Sequence, residues 1–134
     1  MGFPILICDD SSLARKVANK ALPDDWDTSV TFATNGVEAM AALREQHYGL
    51  LLLDLTMPEM DGIEVLEAIR HEKLEVFVVV ISGDIQPQMR ERVIQLGALE
   101  FIPKPVNGQH LKQILQDFGL YRCGEKVEEN LSYA

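Results

Sequence analysis

The sequence predicts an α/β domain, a five-stranded parallel sheet with helices on both faces. Three observations carry that prediction. Five short apolar or β-branched runs alternate with five segments of helical periodicity, the pattern of repeated strand–helix units. The runs Phe3–Cys8, Leu50–Leu53 and Val76–Ile81 are apolar almost throughout, as strands covered on both faces must be. Polar residues follow these runs directly, at the strand ends where open parallel sheets bind ligands.

Phe3–Cys8 forms the first strand. Ser11–Leu22 then places Leu13, Ala14, Val17, Ala18 and Ala21 on one helical face, with Asp10 or Ser11 as N-cap and Pro23 as breaker. Ser29–Ala33 alternates and is β-branched, so it reads as the second strand. Asn35-Gly36 turns into the helix Val37–Gln46. Leu50–Leu53 is the third strand, and a loop through Met57-Pro58-Glu59-Met60-Asp61-Gly62 leads to the helix Ile63–His71, which turns Val65, Leu66 and Ile69 inward. After the strand Val76–Ile81, Pro87 suits the first turn of a helix ending near Leu96, and Gly97 its C-terminal cap. Leu99–Ile102 is the fifth strand. Asn107–Phe118 is the last helix, with Leu111, Ile114, Leu115 and Phe118 as its stripe. Right-handed crossovers leave few topologies for this order.

The domain is expected over residues 1–120. The pattern stops there, and 121–134 read as a polar, acidic tail or the start of a linker to an output domain, with Val127 and Leu131 as one weak stripe.

At 134 residues, 47% hydrophobic and 25% charged, the chain can bury a real core. A net charge of −9 argues against direct nucleic-acid binding, which needs a basic face. Cys8 and Cys123 are too few for a disulfide framework and read as reduced thiols. Neither a membrane span nor a basic-then-apolar leader is present, so a cytoplasmic location is expected.

The chemistry lies at the strand ends. Asp9 and Asp10 follow the first strand, Asp54 the third, Ser82 the fourth and Lys104 the fifth. Three converging carboxylates repel one another unless a cation joins them, and a hard divalent ion with oxygen ligands fits. A carboxylate nucleophile, a metal, a lysine and a hydroxyl together make a kit for phosphoryl transfer. In isolation each residue has a plainer reading: Asp9 or Asp10 as a helix cap, Ser82 as a backbone partner, Lys104 as a solvated charge. The set is what points to function. Phe101 and Trp26 also read as packing residues, Cys8 as a small buried hydrophobe, and Asp61 as a loop or cap residue. His47, His71 and His110 lack metal-ligand spacing.

Asp9-Asp10-Ser11, the run Asp54-Leu55-Thr56-Met57-Pro58-Glu59-Met60-Asp61-Gly62, Ser82-Gly83 and Lys104-Pro105 resemble the receiver domains of two-component response regulators over about residues 3–118. The resemblance implies a flavodoxin-like doubly wound fold with strand order 2-1-3-4-5, as in chemotaxis CheY-like regulators. It implies phosphorylation of Asp54, and Mg²⁺ (or Mn²⁺) held by Asp10, Asp54, the Thr56 carbonyl and, directly or through water, Asp9. Ser82 and Lys104 would contact phosphoryl oxygens, and Phe101 would take the switch position where a tyrosine is common. A cis bond between Lys104 and Pro105 is implied. Thr56 and Asp84 flank the site where the family adjusts dephosphorylation. Implied partners are a sensor histidine kinase or phosphotransfer protein, with a fused output domain or chemotaxis target downstream. The domain is then a switch that promotes its own phosphoryl transfer, not a turnover enzyme.

Two other classes fit less well. A haloacid dehalogenase-like hydrolase needs its nucleophile at the first strand and a second acid two residues on, whereas Asp54 is followed by Leu55 and Thr56. A flavodoxin needs a hydroxyl- and glycine-rich phosphate loop where this chain has Asp9-Asp10-Ser11.

Overall fold

The computed structural model describes residues 2–84 and 86–122. Cys123, Val127, Leu131 and the rest of the expected tail lie outside them. The elements are β1 (Phe3–Cys8), α1 (Ser12–Ala21), β2 (Thr28–Ala33), α2 (Gly36–Glu45), β3 (Leu50–Leu53), α3 (Gly62–Glu72), β4 (Phe77–Ser82), α4 (Pro87–Gln95), β5 (Glu100–Pro103) and α5 (Gly108–Asp117). All strand pairs are parallel, and the sheet runs β2-β1-β3-β4-β5. This is the flavodoxin-like doubly wound fold expected from the sequence.

Strand alternation builds two cores. Ile5, Ile7, Leu50, Leu52, Val79, Ile81 and Ile102 meet α1 and α5 on one face. Leu6, Cys8, Leu51, Leu53, Val78, Val80 and Phe101 meet α2, α3 and α4 on the other. With both faces covered, β1, β3 and β4 have no polar side to show. That is why their sequences lack an alternating pattern.

Helix starts follow local chemistry. Ser11 caps α1 through Ala14 N–H (3.2 Å) and Asn35 caps α2 through Glu38 N–H (2.8 Å). Asp61 and Glu64 form a reciprocal capping box at α3, with both bonds at 2.9 Å. Asn107 caps α5 through Gln109 and His110. α4 has no side-chain cap and begins on Pro87, whose missing N–H costs nothing there.

Leu13, Val17, Phe118 and Tyr121 sit differently from the sequence reading. Leu13 and Val17 sit on the predicted inner stripe of α1 yet are 70% and 38% exposed. The small residues Ala14 and Ala18 leave a cavity of about 390 Å³ between α1, the sheet and residues 104–106, and Leu13 and Val17 line its rim instead of filling it. Phe118, the predicted end of the α5 stripe, is the C-cap and stands half exposed, past the last inward turn. Tyr121, assigned from sequence to the tail, is buried. It donates a hydrogen bond to Asp25 and its ring lies 5.5 Å from Trp26, which in turn lies 4.9 Å from Phe3. Trp26 is therefore a packing residue, as expected.

Two glycines let loops close over the sheet. A Cβ at Gly62 would stand 2.5 Å from the Asp54 carbonyl oxygen and 2.8 Å from Leu55 Cα, and one at Gly36 would stand 2.4 Å from the Met60 carbonyl oxygen. The Gly62 and Gly36 N–H groups donate to Leu55 O (2.9 Å) and Met60 O (3.1 Å), so the β3–α3 loop is pinned at both ends. Gly62→Ala is expected to lose about 1–3 kcal/mol by urea denaturation, because backbone must shift. Gly83→Ala, with open space around it, should change stability by less than about 0.5 kcal/mol.

Candidate functional site

Sheet register gathers the site. Cys8 pairs with Leu53 and Ser82 with Pro103, so Asp9 and Asp54 leave the sheet side by side, as do Ser82 and Lys104. The ladder continues one step past the strands: Asp9 N–H donates to Ala33 O (3.1 Å), Asp54 N–H to Cys8 O (3.0 Å) and Lys104 N–H to Ser82 O (2.8 Å). The Lys104–Pro105 peptide bond is cis.

The side chains converge. Lys104 Nζ donates to Asp9 Oδ2 at 2.8 Å and lies 3.3 Å from Asp54 Oδ1, and both acids are buried. Asp9 Oδ1 accepts from Ser11 N–H at 3.0 Å. Asp10 is exposed, and its carboxylate completes a group with Asp9 and Asp54 whose oxygens lie within 4.8 Å of one another. Three carboxylates against one ammonium leave an excess of negative charge. The donor set is all oxygen, which suits a hard divalent cation. The residues present fit such an ion.

Electrostatics agree with the crowding. Burial, then the neighbouring Asp9 charge, hold the Asp54 carboxyl above its usual range, although Lys104 and the Thr56 N–H pull the other way. Burial alone would lower the Lys104 ammonium, but its hydrogen bond to Asp9 and the charges of Asp54 and Asp9 outweigh it, and its pKa is raised. Burial, then Asp9 and Asp54, push the Cys8 thiol up to about 12. Its S–H donates to Asn35 O (3.3 Å), and its sulfur lies 3.4 Å from Met57 Sδ. Cys8 is a buried, unreactive thiol.

Ser82 is buried at the end of β4, its Oγ accepting from Asp84 N–H at 3.0 Å. Thr56 is exposed beside Asp54. Phe101 points inward, buried among the α3–α4 core residues. His47, His71 and His110 are all exposed, and none belongs to the acid group. Sequence reasoning missed Arg15, which donates through Nη1 to the Asp9 carbonyl oxygen at 2.8 Å. An arginine one helical turn into α1 carries no signal of that role until the loop is folded.

A family model described as the response regulator receiver domain matches residues 5–116. The chain is 33% identical to the probable C4-dicarboxylate response regulator DctR of Bacillus subtilis (strain 168), covering 96% of this chain and 56% of that protein. It is 32% identical to the chemotaxis protein CheY of the same organism, covering 86% of this chain and 96% of that one. The chain thus spans about half the length of the first relative and nearly all of the second. Among solved structures, the CheX-CheY-BeF3-Mg complex from Borrelia burgdorferi superposes with a TM-score of 0.81 at 27% identity, covering 89% of this chain and 90% of that one.

The raised Asp54 pKa has a definite sign. An acid held protonated more readily in the fold than in the unfolded chain costs stability once pH rises through its folded pKa. At pH 7 without divalent metal, Asp54→Asn is therefore expected to raise Tm, by about 4 °C or on the order of 1 kcal/mol. The gain should shrink as pH falls towards 4. Thermal melts in EDTA at both pH values check it.

Proposed function

This chain belongs to the response regulator receiver domain family, and from that footing we propose that it is a phosphorylation switch whose phosphoacceptor is Asp54. The observation that carries the reading is Lys104 reaching both Asp9 and Asp54, with Asp10 close enough to complete a three-carboxylate group.

In this reading Asp54 attacks in line on a phosphorus borne by a kinase or phosphotransfer-protein imidazole, or by a small acyl phosphate. One Asp54 oxygen forms the new P–O bond while the bond to the donor's nitrogen or oxygen breaks, and the donor keeps that electron pair. Asp10, Asp54 and the Thr56 carbonyl would hold Mg²⁺, or Mn²⁺ in its place, with Asp9 acting directly or through water. The bound ion supplies charge neutralisation for the transferring oxygens. Lys104 supplies the rest as a fixed cation already aimed at the Asp54 carboxylate, so little reorganisation accompanies the transfer.

The switch follows from the same residues. Ser82 Oγ now accepts from Asp84 N–H, and donating its own proton to a phosphoryl oxygen would draw it towards Asp54. Phe101 would repack in response and change the surface formed by α4, β5 and α5. A phosphoryl group that binds one arrangement better shifts a pre-existing equilibrium by that difference. A phenylalanine offers a partner an apolar contact there and no hydroxyl. The recipient is a fused output domain or a separate chemotaxis-type target. The chain promotes its own phosphorylation and dephosphorylation and turns over no other substrate.

Acetyl phosphate with Mg²⁺ is expected to shift the full chain on a phosphate-affinity gel. EDTA or Asp54→Asn should abolish the shift, and Lys104→Met should slow it by about 100-fold. Labelling that persists in Asp54→Asn would overturn the reading.

A further inference from the structure

Asp10 is the exposed member of the acid group, on a loop between β1 and α1, yet three oxygens must meet at one point for the group to hold an ion. Something must fix the loop before the ion arrives. Asp9 is held through its side chain by Ser11 N–H and Lys104, and through its N–H by Ala33 O. The Ser11 bond closes a turn across Asp10 and limits how far the loop can move, while the Asp9 carbonyl oxygen, on the peptide that precedes Asp10, takes no part in these bonds.

Arg15 grips it. Its Nη1 donates to the Asp9 carbonyl oxygen at 2.8 Å, and its own backbone N–H donates to the Ser11 carbonyl oxygen at 3.0 Å. The side-chain bond acts on the residue before Asp10, while the backbone bond, which most residues at position 15 would make, starts α1 on the residue after it. The guanidinium is steadied in turn by the Phe32 ring of the edge strand β2, 5.8 Å below it.

We infer that Arg15 is a positioning residue for the divalent-ion site, orienting Asp10 by holding the Asp9–Asp10 peptide against β2. The inference rests on the proposed Mg²⁺ site and adds to it a residue that touches neither ion nor phosphoryl group. Outer residues that orient ligands commonly matter to affinity by 10- to 100-fold when removed.

Charge and position make opposite predictions here. Removing a cation from the loop that carries Asp9 and Asp10 should tighten Mg²⁺ binding or leave it unchanged if Arg15 acts only through its field. Losing the grip on Asp10 should weaken it. Titrating MgCl₂ into the full chain by calorimetry, Arg15→Met is expected to bind about 10-fold more weakly than the parent, with its melting temperature in EDTA nearly unchanged. Arg15→Lys keeps a charge and one donor but loses the flat group over Phe32, and should fall between, about 2- to 5-fold weaker. Unchanged or tighter binding by Arg15→Met overturns the inference. If that variant does not fold, parent-like affinity in Arg15→Lys does so instead. A parent that binds no Mg²⁺ overturns the proposed function, and this inference with it.

Discussion

One ammonium facing an excess of carboxylates organises this end of the molecule. Lys104 bonds Asp9 and stands 3.3 Å from Asp54, and both acids are buried where burial penalises their charge. Removing water strengthens the attraction to Lys104 and equally the repulsion between the acids. One cation does not balance three anions, and burial, then the neighbouring Asp9 charge, holds the Asp54 carboxyl above its usual range. The divalent ion of the proposed function would relieve that repulsion, so stability given up here would be recovered on binding.

That arrangement depends on a backbone unable to yield. The ladder bonds beyond β1, β3 and β5 fix where Asp9, Asp54 and Lys104 leave the sheet. The loop after Asp54 is pressed onto the sheet through Gly62 and against α2 through Gly36, with no room for a side chain at either point. The Asp61–Glu64 capping box then starts α3 directly behind it. Rigid strands and pinned loops keep the charges from moving apart to relieve their own repulsion.

The residues proposed to move are few by comparison. Ser82 and Phe101 belong to adjacent strands on one side of the site, one bonded to the Asp84 backbone and the other packed into the α3–α4 core. On the opposite side, the cavity beneath α1 leaves Leu13 and Val17 incompletely covered beside the acids. Tyr121 ties the chain after α5 back to the α1–β2 corner through Asp25 and Trp26, so the packed unit extends beyond the last helix.

Much of this was legible in the chain itself. Doubly covered parallel strands must be apolar along their length and must end where their polar residues begin, so Asp9, Asp10, Asp54, Ser82 and Lys104 marked the strand ends one by one. Caps at Ser11, Asn35, Asp61 and Asn107 depend on residues two or three apart and are equally local. What folding alone decided depends on contacts between residues far apart in sequence. The gap under α1 comes from small residues meeting a loop about ninety positions away, and the burial of Tyr121 from an aspartate on the first crossover. The Gly36 approach to Met60 and the Arg15 hold on the Asp9 carbonyl likewise exist only once loops are laid beside each other. A periodic pattern states which residues seek burial. Only the packed molecule settles which of them find it and which backbone group a long side chain comes to hold.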